Sequence, residues 1–218
     1  MLIRTLSLAV PLTLLTACAN PIDIRPLASA TTGVSAWTIY QSAGPAAAST
    51  LPVAPYLTAS GTFLPYRPGS TAVTYNPAVV PPGAAAELTI TKTGYGSEVR
   101  LTAGGLIPHR MYGAHLHTKP CTAVPEEAGP HYQNHKDPAA TPTSPSANPI
   151  YANAQNEIWL DFTASAAGDA SSSVSHGWNF DPQSPPRSLV LHETHTMTAS
   201  GEAGKAGARE ACLTLPPA

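Results

Sequence analysis

The sequence predicts an all-β fold, a sandwich or Greek-key barrel, from three observations. Short alternating apolar runs recur between turn residues, no segment sustains a 3.6-residue apolar period, and 24 of the 218 residues are proline. Proline removes a backbone donor and interrupts long helices, and alternation with period two is the mark of a half-buried strand.

Taken in order, Thr71-Ala72-Val73-Thr74-Tyr75 is the first convincing strand, after the Pro-rich stretch at 65–68. Residues 86–93 alternate around Leu88 and Ile90, and Gly94-Tyr95-Gly96 turns the chain into Glu98-Val99-Arg100-Leu101, which predicts a hairpin. Met111 to His117 forms a further strand, and a loop rich in Pro, Asn and His follows over 118–156. Residues 157–163 and 171–174 are expected to make a second hairpin around Gly168-Asp169. Residues 188–192 and 211–215 supply the last two strands.

Composition narrows the function classes. Only 11% of residues are charged and the formal net charge is -2, so there is neither a basic nucleic-acid footprint nor an acidic tail. Mean hydropathy is near zero, as for a soluble domain. The N-terminus is different: Arg4 precedes a short apolar run, Leu6 to Leu15, too short to span a bilayer and fitting a signal-peptide core. The run ends in Leu15-Thr16-Ala17-Cys18, which resembles the lipobox of bacterial lipoproteins. That implies a signal at 1–17, lipidation of Cys18 and an extracytoplasmic, membrane-anchored protein at the cell surface or in the periplasm. An ordinary secretory signal that happens to contain a cysteine is the alternative. Residues 18–60, rich in Ala, Ser, Thr and Pro, form a tether in which Trp37-Thr38-Ile39-Tyr40 is an apolar island, and 61–218 form the domain. With Cys18 lipidated, Cys121 and Cys212 remain in an oxidising compartment, where they are either the chain's one intramolecular disulfide or two buried thiols.

The chemistry-bearing pattern is His115-Leu116-His117. On a strand both imidazoles project from one face and can share a metal ion. His131 and His192 would complete a nitrogen-rich site suited to copper or zinc.

The neighbours of these histidines resemble the Cu,Zn-type superoxide dismutase family over roughly residues 71–215. Gly113-Ala114-His115-Leu116-His117 is similar to that family's Gly-Phe-His-Val-His strand, and Cys121 stands at the position of its disulfide cysteine. Gly129-Pro130-His131-Tyr132 resembles Gly-Pro-His-Phe, Leu189-Val190-Leu191-His192-Glu193 resembles Leu-Val-Val-His-Glu, and 204–212 resembles the Gly-rich stretch ending in Arg-x-x-Cys. The resemblance implies an immunoglobulin-like Greek-key sandwich with a long metal-site loop. It makes His115, His117, His131 and His192 copper ligands, with His131 also carrying a proton in the catalytic cycle. It makes Arg209 the catalytic cation that attracts superoxide, and it ties the ligand-bearing loop to the last strand through Cys121–Cys212. It also implies a monomer or homodimer that dismutes superoxide.

The departures matter as much. His135 and Asp137 follow His131 too closely for the family's zinc set, and no further histidine occurs until His176. The stretch between His192 and Arg209 is short. Both features resemble the family's copper-only branch, in which zinc is absent and a carboxylate partners the third histidine; Glu157 is the candidate. His135 and Asp137 are candidates for an extra metal contact. His109 reads as structural, His176 as packing or surface beside Trp178, His195 as a loop residue with a place at the rim of the site as the alternative, and Glu193 as support for a corner. Two rivals stand beside this reading. One is a non-enzymatic copper-buffering lipoprotein; the other is a cupin-like site, disfavoured because residues 118–125 contain no glutamate.

Overall fold

The structure, a computed structural model, describes residues 55–141 and 143–217. The expected signal at 1–17, the lipidation site Cys18, the island at 37–40 and the tether as far as residue 54 lie outside the described residues.

Nine strands follow one another: β1 (Leu57–Thr62), β2 (Ala72–Thr74), β3 (Ala85–Thr93), β4 (Gly96–Gly104), β5 (Met111–His117), β6 (Phe162–Thr163), β7 (Ala170–His176), β8 (Ser188–His192) and β9 (Arg209–Thr214). They form two antiparallel sheets, in the orders β1-β3-β4-β7 and β2-β9-β8-β5-β6. The described residues contain no α-helix, and one 3-10 turn, Pro125–Ala128, interrupts the long loop. The fold is therefore the all-β sandwich the sequence predicts.

Period-two alternation builds the core. Leu88, Ile90, Val99 and Leu101 of one sheet meet Tyr112, Leu116, Leu189, Leu191 and Leu213 of the other, all fully buried. The outward side chains of the two sheets have different fates. On β7 the outer residues are exposed serines, whereas on β5 and β8 the outer face is buried as well. The loop after β5 and the segment 193–208 cover it. Beneath that cover lies a second small apolar cluster of Val73, Cys121, Ala128, Val190 and Cys212, with a disulfide joining Cys121 to Cys212.

Three expectations need correction. Leu57–Thr62 is a strand where the sequence predicts the last residues of a tether ending at 60; it forms because Leu57 and Ala59 reach the core while pairing with Ile90 and Leu88 of β3. The second hairpin does not exist: β6 pairs with β5 and β7 pairs with β4, so the turn at Ser165–Asp169 carries the chain from one sheet to the other. The strand expected over 157–163 is regular only at Phe162–Thr163. The Asp161 carboxylate accepts the Ala114 N–H at 3.1 Å, so a side chain takes the place of a ladder carbonyl.

Candidate metal centre

His115 and His117 alternate with Ala114 and Leu116, so core packing of the latter pair turns both rings onto the covered outer face of the sheet. His192 comes from the neighbouring strand, opposite Gly113. A Cβ at residue 113 would lie 2.5 Å from the Thr194 carbonyl, so glycine there lets the covering segment come down onto the site. A register shift after Leu191 pairs His192 with Arg209, which brings the guanidinium-bearing residue to the same end. His131 returns from the loop to bridge with His117, held by the Tyr132 N–H donating to the Leu116 carbonyl at 2.8 Å.

The four histidines offer nitrogen atoms that all lie within 4.8 Å of one another, the one group of three or more metal-ligating side chains among the described residues. Three of them, His115, His117 and His131, have outward nitrogens whose partners fix the tautomers. The Thr196 hydroxyl donates to Asp161 at 2.9 Å, so it accepts from His115 Nε2–H at 2.6 Å. His117 Nδ1–H donates to the Gly129 carbonyl at 2.9 Å, and His131 Nδ1–H donates to Glu157 at 2.8 Å. Those three rings are left with a bare lone pair pointing inward. His115 Nδ1 then faces His131 Nε2 at 3.0 Å, and His117 Nε2 faces His192 Nε2 at 3.2 Å. The opposed acceptors of His115 and His131 at 3.0 Å repel unless a cation lies between them, and four imidazoles suit copper or zinc. The donor set fits a metal ion.

Electrostatics keep the rings ready. Burial, reinforced by the neighbouring His131, lowers His115 to about 4. Burial and neighbouring histidines hold His117 and His192 well below the usual imidazole range. The Nδ1 of His192 is buried without a hydrogen-bond partner. Burial would raise Glu157, but the hydrogen bonds and charge of His131, with further donation from Trp159 and Gln133, bring it below the ordinary carboxylate value. Asp161 likewise overcomes burial through His115 and Thr196 and falls to about 2. A pH dependence follows. An unfolded histidine titrates near 6.5, so below that pH the unfolded chain takes up protons that the folded metal-free protein refuses. Stability should thus fall as pH drops from about 6.5 toward 4, by roughly 2 kcal/mol between pH 7 and 5 from His115 alone. Urea denaturation of metal-free protein at the two pH values measures this, and equal midpoints would contradict it.

Glu157, 2% exposed, accepts from His131 at 2.8 Å, from Trp159 Nε1–H at 2.7 Å and from Gln133 at 2.8 Å. Arg209 donates to the carbonyls of Pro125 at 3.0 Å, Glu126 at 3.2 Å and Gly129 at 2.8 Å. It lines a cavity of about 620 Å³ that His131, His192 and Glu157 also border.

Other expected residues lie elsewhere. His135 is exposed and joins no metal-ligating group; its backbone N–H is bound to the Asn156 side chain at 2.7 Å. Asp137 borders the cavity with its carboxylate engaged by Ser146 at 2.5 Å and by the Ala139 N–H at 2.9 Å. Neither residue joins the four histidines as a metal-ligating group, and local turn bonds take up the Asp137 carboxylate. His109 sits in a turn at φ 59°, His176 stacks on Trp178 at 4.5 Å, and His195 donates to the Phe162 carbonyl at 3.0 Å. Glu193 receives the Ala208 N–H at 3.2 Å and braces the covering segment. Sequence reasoning missed Asp161, Thr196, Trp159 and Gln133. The first and third carried a signal: Glu157, Trp159 and Asp161 alternate with buried Ile158, Leu160 and Phe162, which puts all three on the histidine side.

The chain matches no protein-family profile and no curated protein. Among solved structures it is similar to a Cu/Zn superoxide dismutase from Brucella abortus, at 18% identity over 73% of this chain and 97% of that one, TM-score 0.46. It is also similar to a SOD-like protein from Bacillus subtilis, at 16% identity over 67% and 96%, TM-score 0.42. A double mutant of the Bacillus subtilis protein gives 19% identity over 59% and 87%, TM-score 0.41. Likeness at this level extends no further than the fold.

Proposed function

We propose that this chain is an extracytoplasmic, copper-dependent superoxide dismutase, lipid-anchored through Cys18 to a bacterial membrane and working without zinc. The observation that carries the reading is the convergence of His115, His117, His131 and His192 beside a cavity whose wall includes His131, His192 and Arg209. Bound copper would supply one-electron chemistry, oxidising one superoxide to dioxygen and reducing a second, with two protons, to hydrogen peroxide.

The protein's own part is to hold, attract and protonate. His115, His117, His131 and His192 would hold the ion, the outer nitrogens of the first three pinned so that those rings cannot turn away. Arg209 is a permanent cation fixed by three carbonyls, and it attracts and orients the small anion. His131, with Nδ1 anchored on Glu157, keeps Nε2 as the atom that takes up a proton and returns it to the product. The disulfide accords with an oxidising compartment.

Stopped-flow decay of superoxide with copper-loaded protein tests this directly; stoichiometric copper without accelerated decay would defeat it. Metal analysis after reconstitution should give one copper and no zinc. Arg209→Ala should lower the rate on the order of tenfold and weaken its dependence on ionic strength, with copper affinity almost unchanged. A non-enzymatic copper store would show no such loss.

A further inference from the structure

His115 and His117 are fully buried and His192 is 4% exposed, so an ion arriving from solvent meets the cluster through the cavity, where His131 and His192 form part of the wall. At about 620 Å³ that cavity is far larger than a two-atom anion needs. It has room for an ion still bound to a carrier's ligand. Met197 lines the same cavity and is 41% exposed. Its backbone is fixed: its N–H donates to the Lys205 carbonyl at 2.8 Å, and its own carbonyl accepts from Gly204 at 2.9 Å. The preceding residue is Thr196, whose hydroxyl holds His115. The segment that carries the thioether is thus tied to the histidine cluster.

A thioether is a neutral, soft donor that prefers cuprous ion to harder cations. Both cysteines of the domain are locked in the disulfide, so no thiolate competes for that role. Arg209, Lys136 and Lys205 also border the cavity and oppose a bare cation, while the Asp137 carboxylate is engaged by Ser146 and the Ala139 N–H and that of Glu157 by His131, Trp159 and Gln133, leaving that of Glu202. We propose that Met197 is the entry ligand for cuprous ion, capturing it at the cavity wall and passing it to His131 and His192. This rests on reading the four histidines as a copper site.

The test uses metal-free protein with ¹³C-methyl-labelled methionine and silver(I) as a redox-inert stand-in for cuprous ion. Met111 is the internal control, 54% exposed at the start of β5 and absent from the cavity wall. Substoichiometric silver(I) should shift the Met197 methyl signal and leave Met111 in place. With cuprous ion offered as its bicinchoninate complex, Met197→Leu should slow uptake roughly tenfold, as expected when the one soft donor on a path of imidazoles is lost. Cupric loading of the same variant, followed by its visible absorption, should keep its rate and stoichiometry. Unchanged cuprous uptake in the variant, or equal shifts of both methionines, would overturn the proposal. If neither copper ion is retained by wild-type protein, the copper reading itself fails, and the silver(I) comparison still decides whether Met197 captures soft ions.

Discussion

Replacing Cys121 and Cys212 together by alanine should destabilise the domain by roughly 4 kcal/mol, since the bridge closes a separation of 91 residues. That corresponds to a fall in melting temperature on the order of 10 °C for a domain of this size. The physical source lies mainly in the unfolded chain, which regains the loop freedom the bridge denies it. A folded-state component adds to it. Cys212 is fully buried beside Val73, Ala128 and Val190, the small cluster beneath the loop, and alanine leaves a void there. That loop also presents His131 and the three carbonyls that fix Arg209, so copper affinity should weaken together with stability. Denaturant titration of oxidised wild type and the double variant provides the measurement. A difference under 1 kcal/mol would show that the loop is held by its packing alone.

Glu157→Gln should lower copper affinity by roughly 10- to 100-fold, the range for loss of a carboxylate that supports a metal-binding imidazole. Glutamine keeps the shape but offers one acceptor oxygen where Glu157 offers two. If that oxygen serves His131 and Trp159, the new amide nitrogen faces the Gln133 amide nitrogen, 2.8 Å from the position it would occupy. Turning Gln133 over is opposed because its oxygen already accepts the Asp137 N–H at 3.1 Å. One buried donor goes unpaired, costing about 1–3 kcal/mol in stability. Competition with a chelator of known affinity checks the first effect and urea denaturation of metal-free protein the second. Affinity within twofold of wild type would show that the carboxylate charge does nothing for His131.

What could be read from the sequence divides along physical lines. The His-x-His face needs only period two, and β5 appears where that period put it, at Met111–His117. The hairpin of β3 and β4 needs only two alternating runs and a Gly-rich turn. The Leu57–Thr62 strand escaped because Leu-Thr-Ala-Ser-Gly-Thr carries one large apolar residue; its β character comes from partners some thirty residues away. The false hairpin shows the converse, since a turn signal says where the chain bends and not which sheet it enters next. At the centre, the four histidines and Glu157 were legible and the structure brings them together. Thr196 was not, because a lone threonine matters only once Asp161 and His115 lie on either side of its hydroxyl.

The carbonyl of Gly129 receives both His117 Nδ1–H and the Arg209 guanidinium. Both lone pairs of that one oxygen are therefore committed, one to a ring of the metal cluster and the other to the cation of the cavity wall. Gly129 itself lies at φ 78°, and a Cβ there would stand 2.6 Å from the Thr118 hydroxyl. A side chain at position 129 must therefore displace a hub on which two separable properties depend, the grip on the ion and the aim of the charge beside it. On the proposed reading, affinity and turnover cannot be tuned apart at this position, and a route that trades one for the other has to run through different residues.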